Sequence, residues 1–166
     1  LDVIEAKTAA LFAAACQVGG EAAQAPLTQV EAVRDYGHNL GMAFQLIDDA
    51  LDYSADQEKL GKAVGDDFAE GKVTLPVLLA FEAGNEDEQT FWRRTIEQLD
   101  QRDGDLDRAK DLIAKYDALA GTVEAAERYG KKAFDALARL ETTSGVAQDI
   151  REALEDVIEF CIVRGH

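Results

Sequence analysis

Residues 44–53 read Phe-Gln-Leu-Ile-Asp-Asp-Ala-Leu-Asp-Tyr and place three carboxylates and one amide within an otherwise apolar segment. Carboxylates are costly to remove from water unless a cation or hydrogen bonds compensate their charge. On a helix, which turns about 100° per residue, Asp48 and Asp52 lie about 40° apart, with Gln45 on the same side and Asp49 further round. The pattern predicts a helix whose buried edge carries a metal site.

The spacing Asp-Asp-x-x-Asp at residues 48–52 suits Mg²⁺. This ion prefers oxygen ligands and is usually held by one or two carboxylates together with water and substrate phosphates. The spacing alone is equally compatible with a solvated acidic face in an acidic protein. The adjacent apolar stripe through Phe44, Ile47 and Leu51 favours the metal site.

Along the whole chain, apolar periodicity and capping residues predict seven helices and no strand. We expect Gly19 and Gly20 to end the first helix, a capping box at Thr28 to begin the second, and Asn85, with Glu88 three residues later, to begin the fourth. Residues 54–73 are predicted to form a long polar loop. The first two predicted helices cover residues 2–18 and 28–53. The third starts after Thr74 and stops at Gly84, and the fourth opens at Asn85. The last three cover residues 105–117, 119–141 and 144–164.

The composition is that of a helical globular protein. The 166 residues include only 2 prolines, and 47% are apolar and 30% charged. This length is enough for one domain with a hydrophobic core, and the fold class that follows is an all-α helical bundle. Because the chain begins with Leu1 in the middle of a helical pattern, we expect residues 1–166 to be a single but incomplete all-α domain.

Charge and thiol content restrict the partners and the compartment. The net charge of -16 argues against nucleic acid and against docking to anionic lipid. No apolar run approaches the ~20 residues that a transmembrane helix needs, and no signal peptide is recognisable. Cys16 and Cys161 form no disulfide framework, so we expect reduced thiols and a cytoplasmic protein.

Lysines that could bind an anionic ligand lie on both sides of the acidic motif. Two Gly-Lys pairs follow it, Gly61-Lys62 and Gly71-Lys72. Glycine lets the backbone approach a ligand, and lysine supplies a mobile charge suited to phosphate. A third polar pair, Lys7-Thr8, lies within the apolar first helix. Taken singly, each pair is more often an ordinary surface feature, and neither Gly-Lys pair has P-loop spacing.

Three motifs, in order, resemble the C-terminal half of the trans-polyprenyl diphosphate synthases. Residues 6–12 resemble the Lys-Thr helix of that family, residues 40–52 its second aspartate-rich motif, and residues 61–76 its lysine-bearing loop. The wording of the motifs, including Thr74-Leu75-Pro76, favours the long-chain octaprenyl or decaprenyl type. The resemblance implies the C-terminal part of the isoprenoid synthase fold. It also implies a prenyltransferase that condenses isopentenyl diphosphate with an allylic prenyl diphosphate.

The resemblance also implies residue roles, a cofactor and an assembly. Mg²⁺ would be the cofactor, and the protein would be a homodimer. The implied metal ligands are Asp48, Asp49, Asp52 and Asp67. The implied diphosphate-binding residues are Lys7, Thr8, Gln45, Lys62 and Lys72. Lys7, Lys62 and Asp48 would be catalytic, because they stabilise the departing pyrophosphate.

The chain departs from the family pattern by lacking the N-terminal half, with its first aspartate-rich motif. We therefore expect the chain to be inactive alone and to bury its open apolar face against that missing half or a second copy. Three alternatives remain: a non-catalytic partner subunit, a terpene cyclase-like protein and an acidic helical scaffold. The intact acidic triad argues against a degenerate subunit, and the Gly-Lys and Lys-Thr pairs argue against a cyclase.

The scaffold and prenyltransferase hypotheses differ in what Asp48→Ala does. A scaffold would be slightly stabilised by the loss of a crowded charge, and Mg²⁺ would have no effect on it. In a full-length prenyltransferase the same change should abolish turnover with little change in helicity. An elongation assay and far-ultraviolet circular dichroism of the variant separate the two, and unchanged activity would contradict the prenyltransferase hypothesis.

Overall fold

A computed structural model describes residues 4–54, 65–140 and 145–163. Within these ranges the chain forms helices and turns and no β-strand, so the predicted all-α class is confirmed. Two π-helical turns, Glu5–Ala9 and Arg93–Glu97, precede α1 and follow α5 respectively. The α-helices are α1 (Ala10–Ala22), α2 (Leu27–Leu51), α3 (Asp66–Ala69), α4 (Leu75–Ala83), α5 (Glu86–Trp92), α6 (Asp105–Lys115), α7 (Ala118–Leu137) and α8 (Gly145–Val163).

The predicted end of the first helix is wrong. The helix continues through Gly19 and Gly20 to Ala22. A side chain at Gly20 would press on Val30 and Val33 of α2, since an added Cβ would lie 3.3 Å and 3.2 Å from their methyl groups. Gly20 therefore serves close packing between helices rather than helix termination, and local sequence cannot distinguish these two uses of glycine.

The second helix also differs at both ends from its prediction. It begins at Leu27, where the Pro26 carbonyl accepts the N–H groups of Gln29 and Val30, so Thr28 lies inside the first turn and is not a cap. The helix ends at Leu51 rather than Tyr53. The cap of the fourth predicted helix is confirmed, because Asn85 and Glu88 exchange side-chain to backbone hydrogen bonds of 3.0 Å and 2.9 Å.

The remaining boundaries differ by a few residues. The predicted loop at 54–73 contains the short helix α3, and its residues 55–64, with Lys62, lie outside the described part of the chain. The fifth predicted helix ends at Lys115 rather than 117, and the sixth ends at Leu137 rather than 141. These errors lie at helix ends, where the periodic apolar signal is weakest.

The chain divides into two compact units, residues 1–47 with 125–166, and residues 48–124. In the first unit, Tyr36 and Leu40 of α2 pack in one apolar cluster with Leu137 of α7 and Ile158 of α8. The Tyr36 hydroxyl, though buried, donates to the Leu154 carbonyl at 3.2 Å. This packing holds in place the helix that leads to the acidic motif.

The second unit has its own core around Trp92, which is 2% exposed. Other members of this core are Tyr53, Phe68, Val77, Phe91, Ile96, Leu112 and Ile113. Tyr53 and Phe68 belong to the same segments as the acidic residues, so core packing fixes the backbone on which the carboxylates are mounted. None of the described helices has both the length and the apolarity that crossing a membrane requires.

Close contact between α2 and the first helix depends on glycine at position 41. A Cβ added there would lie 2.8 Å from the Ala9 Cα, a backbone atom that cannot move aside easily. We expect Gly41→Ala to lower the free energy of unfolding by about 1–3 kcal/mol, measured by urea denaturation. Gly19→Ala is the matched control, since nothing lies within 4 Å of the added methyl group. That variant should be stabilised by about 0.5–1 kcal/mol, and equal effects would contradict the packing argument.

Candidate metal and diphosphate-binding residues

The three carboxylates of the acidic motif differ in exposure. Asp48 is exposed, Asp52 is half-buried and Asp49 is only 4% exposed. Asp52 follows the last residue of α2, but its N–H donates to the Asp48 carbonyl at 3.1 Å and so continues the helical geometry. Helical periodicity predicted Asp48 and Asp52 at the buried edge of the helix and Asp49 further round, and for burial this is wrong. Asp49 is the most buried of the three because the buried face of α2 also includes Leu46 and Ala50.

Asp52 is linked to Asp67, which lies fifteen positions further along the chain. The Asp52 carboxylate accepts the backbone N–H of Asp67 at 3.0 Å, and the Asp52 carbonyl accepts the N–H of Gly65, also at 3.0 Å. Burial raises the pKa of Asp52, and the carboxylates of Asp67 and Asp66 raise it further, against backbone N–H donors that lower it. The end of α2 and the start of α3 are therefore joined around a concentration of negative charge.

Lys72 is already paired with carboxylates. Its Nζ lies 2.7 Å from Asp67 Oδ1 and 2.8 Å from Glu70 Oε2. The hydrogen bond to Asp67, followed by that to Glu70, raises the pKa of Lys72 above its usual range. Lys72 therefore orients Asp67, and its ammonium group keeps a third N–H that these two carboxylates do not use.

Two buried hydroxyl groups near the acidic residues were not predicted as site residues. Tyr53 is 4% exposed and Thr74 is 6% exposed. Neither hydroxyl makes a hydrogen bond of normal geometry with the described residues, although Thr74 is close enough to lower the pKa of Tyr53 in part. Burial raises the pKa of Tyr53, and the neighbouring charges of Asp52, Asp67 and Asp49 add to that effect. The signal available in sequence was position alone, since Tyr53 directly follows Asp52.

In the first unit, Thr8 and Gln45 are brought together. Thr8 Oγ1 donates to Gln45 Oε1 at 2.9 Å, across 37 positions of sequence. The approach is close because Gly41, one turn before Gln45, leaves space for the backbone at Ala9. Lys7, on the same π-helical turn, has an exposed side chain that is available to a ligand.

The carboxylate oxygens of the acidic turn suit Mg²⁺ as part of a shell that water and phosphate complete. Among the described residues there is no group of three or more His, Cys, Asp or Glu side chains able to hold a metal by themselves. Mg²⁺ does not require such a cage, because it commonly takes one or two carboxylates and completes its shell with water and substrate phosphates. Asp48, Asp52 and Asp67 offer oxygen ligands only, and the charge crowded around Asp52 is of the kind that a divalent cation offsets.

The fold and these residues define an all-α protein with an acidic turn suited to a cation. The chain belongs to the polyprenyl synthetase family, whose model matches residues 1–113. The family inferred from the three motifs is therefore confirmed. The matched region includes the Lys-Thr pair, the acidic motif and the turn that carries Asp67 and Lys72.

Relatives of named function are similar to this chain over nearly its whole length. An octaprenyl diphosphate synthase from Escherichia coli is 41% identical over 98% of this chain and 48% of its own length. The crystal structure of a decaprenyl diphosphate synthase from Rhodobacter capsulatus matches with a TM-score of 0.89 and 44% identity, over 99% of this chain and 49% of that one. A polyprenyl synthase from Caulobacter crescentus, crystallised with calcium and isoprenyl diphosphate, matches with a TM-score of 0.87 and 47% identity, over 99% and 48%. This chain thus spans about half the length of each.

The hydrogen bond between Thr8 and Gln45 should be measurable as a coupling energy. Thr8→Val keeps the side-chain shape but removes the donor, so we expect a loss of about 1 kcal/mol of unfolding free energy. A double-mutant cycle with Gln45→Leu should give a coupling of about 0.5–1.5 kcal/mol in urea denaturation. Thr28→Val, at an exposed position in the first turn of α2, is the control. A coupling near zero would mean that the two side chains do not bond in solution.

Proposed function

We propose that this chain works as part of a polyprenyl diphosphate synthase that condenses isopentenyl diphosphate with an allylic prenyl diphosphate. The observation that carries the proposal is the junction of Asp52 with Asp67 and Lys72. Two of the three family motifs meet there through the 3.0 Å bond from the Asp67 N–H to the Asp52 carboxylate, and Lys72 pairs with Asp67 at 2.7 Å. Family membership and the named functions of the relatives support the same reaction.

The carboxylates would hold Mg²⁺. Asp48 and Asp52 lie on one side of the helix end, and Asp67 is oriented by Lys72, so these three supply the most accessible oxygens. Asp49, which the resemblance also assigns to the metal, would act from a more buried position. Bound Mg²⁺ would supply Lewis-acid stabilisation of the charge that develops on a departing diphosphate.

The cationic and polar residues would bind the diphosphates. Lys7 is exposed and carries no competing ion pair among the described contacts, so its ammonium group can donate to phosphate oxygens. Thr8 and Gln45 would add hydrogen bonds. Gln45 carries two amide N–H donors, whereas the single hydroxyl proton of Thr8 is given to Gln45 Oε1 and would have to turn to a phosphate oxygen. Lys62 keeps its predicted role, together with Lys72.

The reaction needs the chain to stabilise charge rather than to supply a nucleophile. The bond between the allylic carbon and the diphosphate oxygen breaks, and its electron pair leaves with the diphosphate. The double bond of isopentenyl diphosphate then attacks the allylic cation, and loss of a proton restores a double bond. Preorganised donors that face the leaving group act on the first of these steps, where charge separation is greatest.

Product length is inferred from the relatives, and the compartment is inferred from the cysteines. Identities of 41% and 44% to octaprenyl and decaprenyl diphosphate synthases support a long-chain product. We also propose a homodimer, as the family resemblance implies, and a cytoplasmic location, which fits the absence of a disulfide at Cys16 and Cys161. A partner subunit or a terpene cyclase is supported less well, because the acidic triad and the Lys-Thr pair are both intact.

A chimera tests the proposed function. Since the chain aligns with about half of the Rhodobacter capsulatus enzyme, it can replace the matching half of that protein. We expect the chimera to incorporate radiolabelled isopentenyl diphosphate into an allylic primer only when Mg²⁺ is present. The 166-residue chain alone should be inactive. A folded but inactive chimera would contradict the proposal.

Asp52→Asn isolates the contribution of charge in the same assay. Asparagine keeps an oxygen that can accept the Asp67 N–H, so the helix end should hold its shape. Removal of a metal-binding charge should lower kcat/KM by at least about 100-fold. Asp111→Asn removes a charge from an exposed position on α6 and should have little effect. Equal activity of the two variants would exclude Asp52 from the metal site.

A further inference from the structure

The turn that carries Asp67 and Lys72 is supported by a loop that none of the sequence motifs includes. This loop spans residues 98–104, between the π-helical turn Arg93–Glu97 and α6. The Gln101 side chain donates from Nε2 to the Phe68 carbonyl at 2.6 Å and to the Thr95 carbonyl at 3.0 Å. One amide group therefore joins the last turn of α3 to the π-helical turn.

The bond to Phe68 matters because α3 is short. The helix has four residues, Asp66–Ala69, and a helix of that length is not stable by itself. Carbonyl oxygens at a helix end also lack partners within the helix. The Phe68 carbonyl receives the N–H of Gly71 at 3.0 Å from within the turn, and Gln101 supplies a second donor from outside it.

Gln101 is itself held by a braced loop. The Arg94 guanidinium forms a bidentate pair with Asp105, at 2.8 Å and 2.9 Å. The same carboxylate accepts the Arg102 N–H at 2.8 Å, and Arg94 also donates to the Asp100 carbonyl. The loop is therefore fixed at both ends and presents the Gln101 amide in a defined place.

A second contact presses the loop against the turn. Gly71 has φ +66° and Leu99 has φ +53°, both in the left-handed region. A Cβ at Gly71 would overlap the Leu99 side chain and lie 3.0 Å from the Ile96 carbonyl oxygen. A leucine in this conformation costs free energy and persists only where its surroundings determine it. Leu99 lies over Gly71 but is 58% exposed, so the backbone hydrogen bonds on either side of it, from Gln98 and Asp100 to the π-helical turn, provide that determination.

We infer that Gln101 is a positioning residue for Asp67 and Lys72. It acts through the Phe68 carbonyl, and the N–H of Asp67 in turn bonds to the Asp52 carboxylate. The loop thus sets where the acidic residues of α3 lie relative to Asp52. The ligand named for the turn, Mg²⁺ with a diphosphate, rests on the proposed function, whereas the support of α3 by Gln101 does not.

The test compares Gln101→Glu with Gln89→Glu in the full 166-residue chain. Gln89 is a matched control because its Nε2 also donates to two carbonyls, those of Phe81 and Gly84, both at 3.2 Å, away from the acidic turn. Each substitution keeps the side-chain shape, removes the donors and adds a negative charge. Gln101→Met and Gln89→Met, which remove the donors without adding a charge, are therefore measured beside them. We expect Gln101→Glu alone to speed amide hydrogen exchange of residues 66–72 by about tenfold, as the loss of a hydrogen bond predicts.

Binding supplies a readout that a general loss of stability would not move. The probe is inorganic pyrophosphate, titrated by calorimetry at several Mg²⁺ concentrations. Gln101→Glu should weaken Mg²⁺-dependent pyrophosphate binding by about tenfold relative to Gln89→Glu. If Gln101→Glu does not fold, the neutral Gln101→Met, of similar length and without donors, takes its place.

The outcomes separate the two proposals. Exchange that is unchanged, or equally faster in both variants, would overturn the inference, as would faster exchange at 66–72 with unchanged pyrophosphate affinity. If the unmodified chain binds no pyrophosphate with Mg²⁺ and the chimera is also inactive, the proposed function is contradicted. The exchange comparison needs no ligand and in that case still decides whether Gln101 fixes the turn.

Discussion

The cost of taking carboxylates out of water is the constraint on which the arrangement of this molecule depends. The last turn of α2 carries Asp48 and Asp49, and Asp52 directly follows it. Where these carboxylates are buried, they need hydrogen bonds or positive charge close by. The chain meets this need in part by folding Asp67 back, so that its N–H reaches Asp52, and by pairing Asp67 with Lys72. What remains is a half-buried excess of negative charge at one turn, which a small divalent cation is suited to offset.

Elsewhere in the second unit, carboxylates are used differently. Glu88 accepts hydrogen bonds from Lys115, Tyr116 and the Asn85 N–H, and these partners lower its pKa to about 2. Arg94 lowers the pKa of Asp105 in the same way. The negative charges of Glu88 and Asp105 are neutralised by these partners, and the hydrogen bonds link separate segments of the chain. Asp52 has the opposite shift, because burial and neighbouring carboxylates raise its pKa. A carboxylate with too few neutralising partners, in a protein whose other buried acids are well paired, is a candidate ligand-binding residue.

Family membership and the geometry of the acidic turn support each other at different levels. The family match identifies the kind of protein, and the relatives are about twice as long as this chain. The local geometry explains why the motifs have their spacing: Asp52 and Asp67 must meet, and Lys72 must be five residues beyond Asp67 on the same turn. The loop at 98–104 supports the turn through contacts that the three motifs do not include. Gln101 donates there to backbone carbonyls, which any residue provides, so a comparison of motifs does not detect them.

Sequence alone was enough to predict the all-α class, the position of most helices, the Asn85 cap and the placement of Asp48 and Asp52 on one side of a helix. Each of these depends on interactions within one turn, which spacing encodes directly. Folding, in contrast, packs Gly20 against α2 within a continuous helix and brings Thr8 to Gln45. It also pairs Lys72 with Asp67 and Glu70 and lets Gln101 support α3. Most of these contacts join residues distant in sequence, and the Lys72 pairs need the α3 turn to form. Partner choice therefore depends on how the chain folds back on itself, which local periodicity does not specify.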